Sequence, residues 1–357
     1  MPTNPTIVDK ARPGILAWLE SVRCTTAGWG RWRYSTAMTR PWALQASGMA
    51  VTLLQRLGEL AHVPAAAKRE CADFFNSFQD PADHLFKDPF ETEALRAWTT
   101  HTWAQIWGQR HGAVLEALAA LGASPGLPPA EAQFVDVSRT DGGAWAAAQD
   151  WRNPWLTGED WTRAIQAFVR TPAGNGPGAR ERLDPLFAFV ETRLLDPATG
   201  FPTRLGCERA SVAMAGLFKL MWGYHAAGRP VPFAERAIDA TLALQLDSGE
   251  FAEPRDMCMN WDAAFILFHL NRQLDGRHRS AEIAAAIARL ADVLLAVYRK
   301  PDGGFAFHGE TCLTVHHSIR LCEKPEPVSD MLGTVMCQQC LEYADAVAAR
   351  AAREVPA

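Results

Sequence analysis

Residues Ala281–Phe307 read AEIAAAIARLADVLLAVYRKPDGGFAF. Ile283, Ile287, Leu290, Leu294 and Val297 recur at three- and four-residue steps, which places them on one helical face. Glu282, Arg289 and Arg299 lie mainly opposite. Pro301-Asp302-Gly303-Gly304 then stops the helix, because proline removes a donor and glycine tolerates the left-handed backbone of a tight turn. The aromatic Phe305 follows.

The same pattern recurs upstream. Ala237–Phe251 reads AIDATLALQLDSGEF and Phe187–Phe201 reads FAFVETRLLDPATGF, with looser copies ending at Trp145, Phe86 and Trp29. The aromatic marks Trp29, Phe86, Trp145, Phe201, Phe251 and Phe305 are 57, 59, 56, 50 and 54 residues apart. That period accommodates two helices and their connections, so it predicts one supersecondary unit repeated six times. With no strand signal between copies, the expected fold is all-α: an (α/α)6 toroid of six helical hairpins forming a single domain over 1–357. Its outer helices are expected at Thr6–Val22, Ala65–Phe78, Ala113–Gly122, Glu181–Leu195, Phe233–Leu246 and Ala281–Arg299. The inner ones are expected at Pro41–Leu60, Glu91–Gly108, Glu159–Arg170, Glu208–Ala226, Asn260–Gln273 and Asp330–Ala344. Two long connections, Pro125–Arg139 and Thr171–Arg180, carry proline and glycine, and Phe307–Val328 makes an excursion holding His308, Cys312, His316, His317 and Cys322.

The 357 residues are 48% hydrophobic and 21% charged, enough for a large core and too apolar for a disordered chain. A formal charge of -5 argues against a nucleic-acid surface. No signal segment and no run long enough to span a bilayer is evident, so a cytoplasmic protein is expected. Eight scattered cysteines are too dilute for a disulfide scaffold and are expected as thiols. Thirteen tryptophans are many for this length and serve either as core filler or as the lining of a cavity.

The helix–turn copies with Gln245, Gly249 and Phe251, or with Asp302, Gly303, Gly304 and Phe305, resemble the repeats of terpene cyclases and protein prenyltransferases. That resemblance implies a toroid with a deep central cavity. The turn Leu195-Asp196-Pro197-Ala198-Thr199-Gly200-Phe201 is also similar to turns in the related rings of glycan hydrolases and lyases. The acidic Asp-x-Asp-Asp motif of squalene-type cyclases is absent, and Val135-Asp136-Val137 does not replace it.

Acids gather where inner helices are expected to begin: Glu91, Glu93, Glu159, Asp160, Glu208, Asp256, Asp262 and Asp330. Cleaving a glycosidic bond takes one protonated and one ionised carboxyl, although acids at helix starts serve equally as caps and dipole partners. The expected function is a glycan-active hydrolase or lyase using Asp256, Glu208 and Asp330 as acid/base groups, with Trp29, Trp32, Trp98 and Trp155 stacking on sugar faces. Its partner is then a small-molecule or oligosaccharide substrate, with no cofactor. Two alternatives stand beside it. One is an isoprenoid enzyme; in protein prenyltransferases an Asp-x-Cys pair and a histidine hold zinc, which by resemblance points to Asp256 and Cys258 with His316 or His317. The other is a non-enzymatic ring that binds a peptide or protein.

Overall fold

A computed structural model describes residues 5–26, 28–128, 137, 140–171, 173–251 and 253–354. Among these the α-helices are α1 (Ile7–Val22), α2 (Leu44–Arg56), α3 (Ala65–Asn76), α4 (Trp103–Leu121), α5 (Gly142–Ala147), α6 (Pro154–Val169), α7 (Ala179–Phe189), α8 (Ala210–Ala226), α9 (Ala234–Leu242), α10 (Met257–Gln273), α11 (Ser280–Val293) and α12 (Met331–Glu354). A two-stranded hairpin, β1 (Val315–His316) and β2 (Ile319–Arg320), is the sheet among the described residues. None of these helices is long and apolar enough to cross a membrane. Most of the Pro125–Arg139 connection, including Asp136, and Pro172 lie outside the described residues.

The chain folds as two compact units, one formed by residues 1–133 and 294–341 and the other by 134–293 and 342–357. In the first, α2 packs along α4. Gly48 permits this close approach, since a Cβ there would lie 2.8 Å from the Ala113 carbonyl oxygen. In the second, α6 packs along α8, and α10 packs against α8, α9 and α11. The helices α8 and α10 bury residues around most of their circumference, as expected of inner helices, whereas α9 and α11 bury one stripe.

Helix starts follow local chemistry. Thr6 with Asp9, and Thr102 with Gln105, form capping boxes for α1 and α4, while Asn153 caps α6 with Pro154 at its first position. This corrects one expected pair of elements. Glu91–Gly108 and Ala113–Gly122 are not two helices: the chain from Asp88 to Thr100 is turn and 3₁₀ structure, and one helix runs through Gly108 and Gly112. The Thr102–Gln105 box starts it, and Gly122, at φ 70, ends it.

The repeated sentence is visible in backbone bonds. Both α7 and α11 run on into one π turn, in which Leu195 N–H reaches Val190 O (2.9 Å) and Arg299 N–H reaches Leu294 O (3.0 Å). Gly303 then adopts φ 101, and a Cβ there would sit 2.4 Å from Gly14 O on α1. Gly303→Ala is therefore expected to destabilise the fold by at least about 1–3 kcal/mol. Denaturant unfolding checks this, and an unchanged midpoint would refute the close approach.

Candidate functional site

The candidate site is built on the hairpin in the excursion before α12. Its pairs are Val315 with Arg320 and His316 with Ile319, which leaves His317 and Ser318 as a two-residue turn. Such turns need positive φ at both central residues, normally supplied by Asn or Gly. Here His317 (φ 45) and Ser318 (φ 68) adopt it without being glycine, at a cost of roughly 1–2 kcal/mol each.

A neighbouring segment holds that strained tip. Ala97 N–H donates to Ser318 O at 2.7 Å, Arg96 bridges Ile319, and Ser318 Oγ lies 3.0 Å from His101 Nδ1 and 3.2 Å from Thr100 Oγ1. The base of the excursion is tied by Asp330. Its carboxylate accepts from the backbone N–H groups of Phe307 (2.8 Å), Leu313 (3.0 Å) and Gly333 (2.8 Å). Burial pushes this carboxyl up to about 6 against the three donors that favour its charge.

Two imidazoles stand side by side on the tip, with ring centroids 3.9 Å apart. His316 Nδ1 is 2.9 Å from the Tyr34 hydroxyl, which donates to Gln45 Oε1 at 2.6 Å. Tyr34 has one proton and spends it on Gln45, so its oxygen accepts from His316 Nδ1–H. The lone pair of His316 is thereby on Nε2. Burial keeps the Tyr34 phenol neutral by raising it well above its usual range. For His317 the arrangement is reversed. Nη1 of Arg110 is 3.4 Å from Nδ1 and can only donate, so Nδ1 accepts and Nε2 carries the proton. The pair thus combines a proton acceptor with a proton donor.

Arg110 is fully buried, and Glu91 grips it from Nε (2.9 and 3.0 Å) and Nη2 (2.7 Å). Behind Glu91, Asp88 accepts from Leu44 N–H at 2.7 Å and so caps α2, which has no side-chain cap of its own. Burial, with Glu91 next, raises the Asp88 carboxyl to about 6. Two guanidinium N–H groups near the hairpin, Nη1 of Arg40 and Nε of Arg96, are buried without a protein acceptor. Arg40 Nη2 meanwhile donates to Arg320 O at 3.2 Å, and Arg96 Nη2 to His101 O at 2.6 Å. Trp98, next to Ala97 on the clamping segment, is 48% exposed, the largest exposure of any big apolar side chain described.

The other expected residues are placed as follows. Asp330 and Glu208 fall in different units; the first has its carboxylate among backbone donors, and the second is exposed ahead of α8. Asp256 caps α10 by accepting from Cys258 N–H at 2.7 Å. Trp29 and Trp32 meet edge-on at 5.4 Å and border a cavity of about 360 Å³. Trp32 is 2% exposed and its indole N–H is spent on Leu19 O, so it is a core side chain and not a stacking platform. Trp155 is half-buried on the first turn of α6. Among the zinc donors of the alternative, Asp256 and Cys258 belong to one unit and His316 and His317 to the other. Burial, then Asp256, drives the Cys258 thiol well above its ordinary value, and no group of three His, Cys, Asp or Glu among the described residues is placed to hold a metal ion.

A second polar cluster lies within the other unit. Asp262 on α10 is 1% exposed with Oδ2 unpartnered, and burial holds its carboxyl far above the usual range. Lys219 pairs with Glu159 at 3.1 Å nearby. On α8 and α10, Phe218 packs on Trp261 (4.8 Å) and Phe265 (5.0 Å), and Trp222 stacks on Phe265 (4.9 Å).

Tyr34, Gln45, Arg110 and His101 were not among the expected site residues. Only Tyr34 had a local signal, the run Arg31-Trp32-Arg33-Tyr34 after a glycine turn.

Comparison with known proteins places the fold. No protein-family model and no curated protein sequence matches the chain. Among solved structures, a polysaccharide lyase covers 98% of this chain and 99% of its own at 11% identity, with a TM-score of 0.43. A type II terpene cyclase from Scytonema, in complex with geranylgeranyl dihydroxybenzoate, covers 96% of this chain and 98% of its own at 15% identity, with a TM-score of 0.53. The likeness to the cyclase extends over nearly the whole chain, and with the helix content it shows the fold class to be an all-α, α/α toroid.

Proposed function

We propose that the chain is an enzyme that cleaves an acidic, uronate-bearing glycan by β-elimination at the hairpin site. The observation that carries this reading is the adjacent imidazole pair, His316 with its lone pair on Nε2 and His317 with an Nε2–H. His316 removes the proton from the carbon next to the uronate carboxyl. The electron pair forms a carbon–carbon double bond as the neighbouring carbon–oxygen bond breaks; His317 Nε2–H holds the leaving oxygen by a hydrogen bond, and the proton taken up by His316 passes on to that oxygen. The unsatisfied N–H groups of Arg40 and Arg96 suit the carboxylate, and exposed Trp98 suits a sugar face. Imidazoles thus take the role that Asp256, Glu208 and Asp330 were expected to fill. Incubation with a panel of uronate and neutral glycans tests the reading. Uronate chains are expected to yield unsaturated, ultraviolet-absorbing ends. Cleavage that instead incorporates oxygen from labelled water would make the enzyme a hydrolase and sink the elimination step.

A second reading has its own support. Asp262 is a buried acid whose carboxyl burial holds far above its usual range, next in sequence to Trp261, which packs on Phe218, and aromatic faces can stabilise a cation; the terpene cyclase neighbour binds an isoprenoid substrate. Conversion of a linear isoprenoid by the purified protein, abolished by Asp262→Asn, with no glycan turned over, would establish this reading in place of the first.

A further inference from the structure

The excursion carries a feature that neither reading uses. Cys312 and Cys322 flank the hairpin, and their sulfurs lie 3.9 Å apart. Ladder bonding continues beyond the strands, with Leu321 N–H on Thr314 O at 2.8 Å, which brings the two cysteines together across its base. Cys322 Sγ also faces Leu313 O (3.7 Å) and Lys324 O (3.5 Å). Cys312 is wholly buried, whereas Cys322 borders a surface cavity of about 290 Å³ together with Thr36, Lys324 and Glu326. A disulfide needs its sulfurs about 2 Å apart, so a rotamer change and a small inward shift would close it.

We propose that Cys312 and Cys322 form a reversible thiol-oxidation site that staples the hairpin bearing His316 and His317. An external disulfide such as oxidised glutathione reaches Cys322 through the cavity. Cys322, whose thiol is held above its ordinary value by contact with Cys312 and by burial, gives up its proton as its sulfur attacks; one sulfur–sulfur bond breaks, and one glutathione leaves as a thiolate that takes up that proton. Cys312 then attacks the Cys322 sulfur of the mixed disulfide and expels the second glutathione. Two thiols lose two protons and two electrons, and one glutathione disulfide becomes two glutathione thiols. Contact with Cys322 lowers the Cys312 thiol below its ordinary value, which favours this second step. The buried thiols of Cys71, raised to about 12, and Cys337, raised well above its ordinary value, lack that advantage.

The test equilibrates the full chain in oxidised glutathione, quenches it with acid, unfolds it, labels free thiols with a maleimide and maps peptides by mass spectrometry. The expected product links Cys312 to Cys322 with loss of two hydrogens, is reversed by reduced glutathione, and leaves the other six cysteines labelled. Hydrogen exchange across 313–321 is expected to slow severalfold in the oxidised protein. Cys312→Ser should stop the reaction at a glutathione adduct on Cys322. Both cysteines labelled under oxidising conditions, a lasting adduct on Cys322 in the unsubstituted chain, or no adduct in Cys312→Ser would each overturn the proposal. The readout is covalent, so it stands or falls separately from any glycan activity.

Discussion

Replacing His316 with alanine is expected to lower turnover of a uronate glycan by about 10²–10⁴-fold, the usual contribution of a positioned acid or base. The substrate should still bind, because the arginine donors and Trp98 remain, so kcat should fall far more than KM rises. His317→Ala should cost a smaller factor, through the lost hydrogen bond to the leaving oxygen. Tyr34→Phe separates positioning from chemistry. The phenol is buried and fixes the His316 tautomer through a 2.9 Å contact. Losing it should reduce kcat by a smaller factor. If His316→Ala and His317→Ala both retain full activity with intact circular dichroism, the hairpin is not the catalytic centre.

The largest stability effect is expected from Glu91→Ala. Glu91 makes three hydrogen-bond contacts to a guanidinium with no exposed surface. Removing it leaves a buried, unpaired cation, which costs about 3–5 kcal/mol. The double replacement Glu91→Leu with Arg110→Met removes both charges and should recover most of that loss. It should not recover activity, because His317 Nδ1 then has no donor to hold its tautomer. Urea unfolding of the single and double variants measures the first claim. Equal destabilisation in both would mean that the ion pair is not what stabilises this part of the core.

Much of the helical architecture was readable from the chain itself. The apolar spacing in Ala281–Val297 and the glycine-aromatic turns are local, period-bearing signals, and local backbone preference plus one buried face suffices to place a helix. Outer helices such as α1, α3 and α11 therefore begin within one residue of where the pattern puts them. The segment Glu91–Gly108 defeated the same reasoning. Its tryptophans sit at helical spacing, but Asp88 and Glu91 are drawn to Leu44 and Arg110, and tertiary partners overrode periodicity. The candidate site lay further out of reach. His316 and His317 stand out in the sequence as a rare pair in a long excursion, yet what assigns them a proton each comes from elsewhere. Tyr34 meets His316 across 282 positions and Arg110 meets His317 across 207. Hydrogen-bond direction and burial depend on atoms brought together by folding, which spacing along the chain does not encode. The sequence by itself determined a repeated, all-helical chain with chemistry-bearing residues in its last excursion. Only the tertiary structure decided which of them stand side by side, which carboxylates are spent on backbone donors, and which imidazole nitrogen holds the proton.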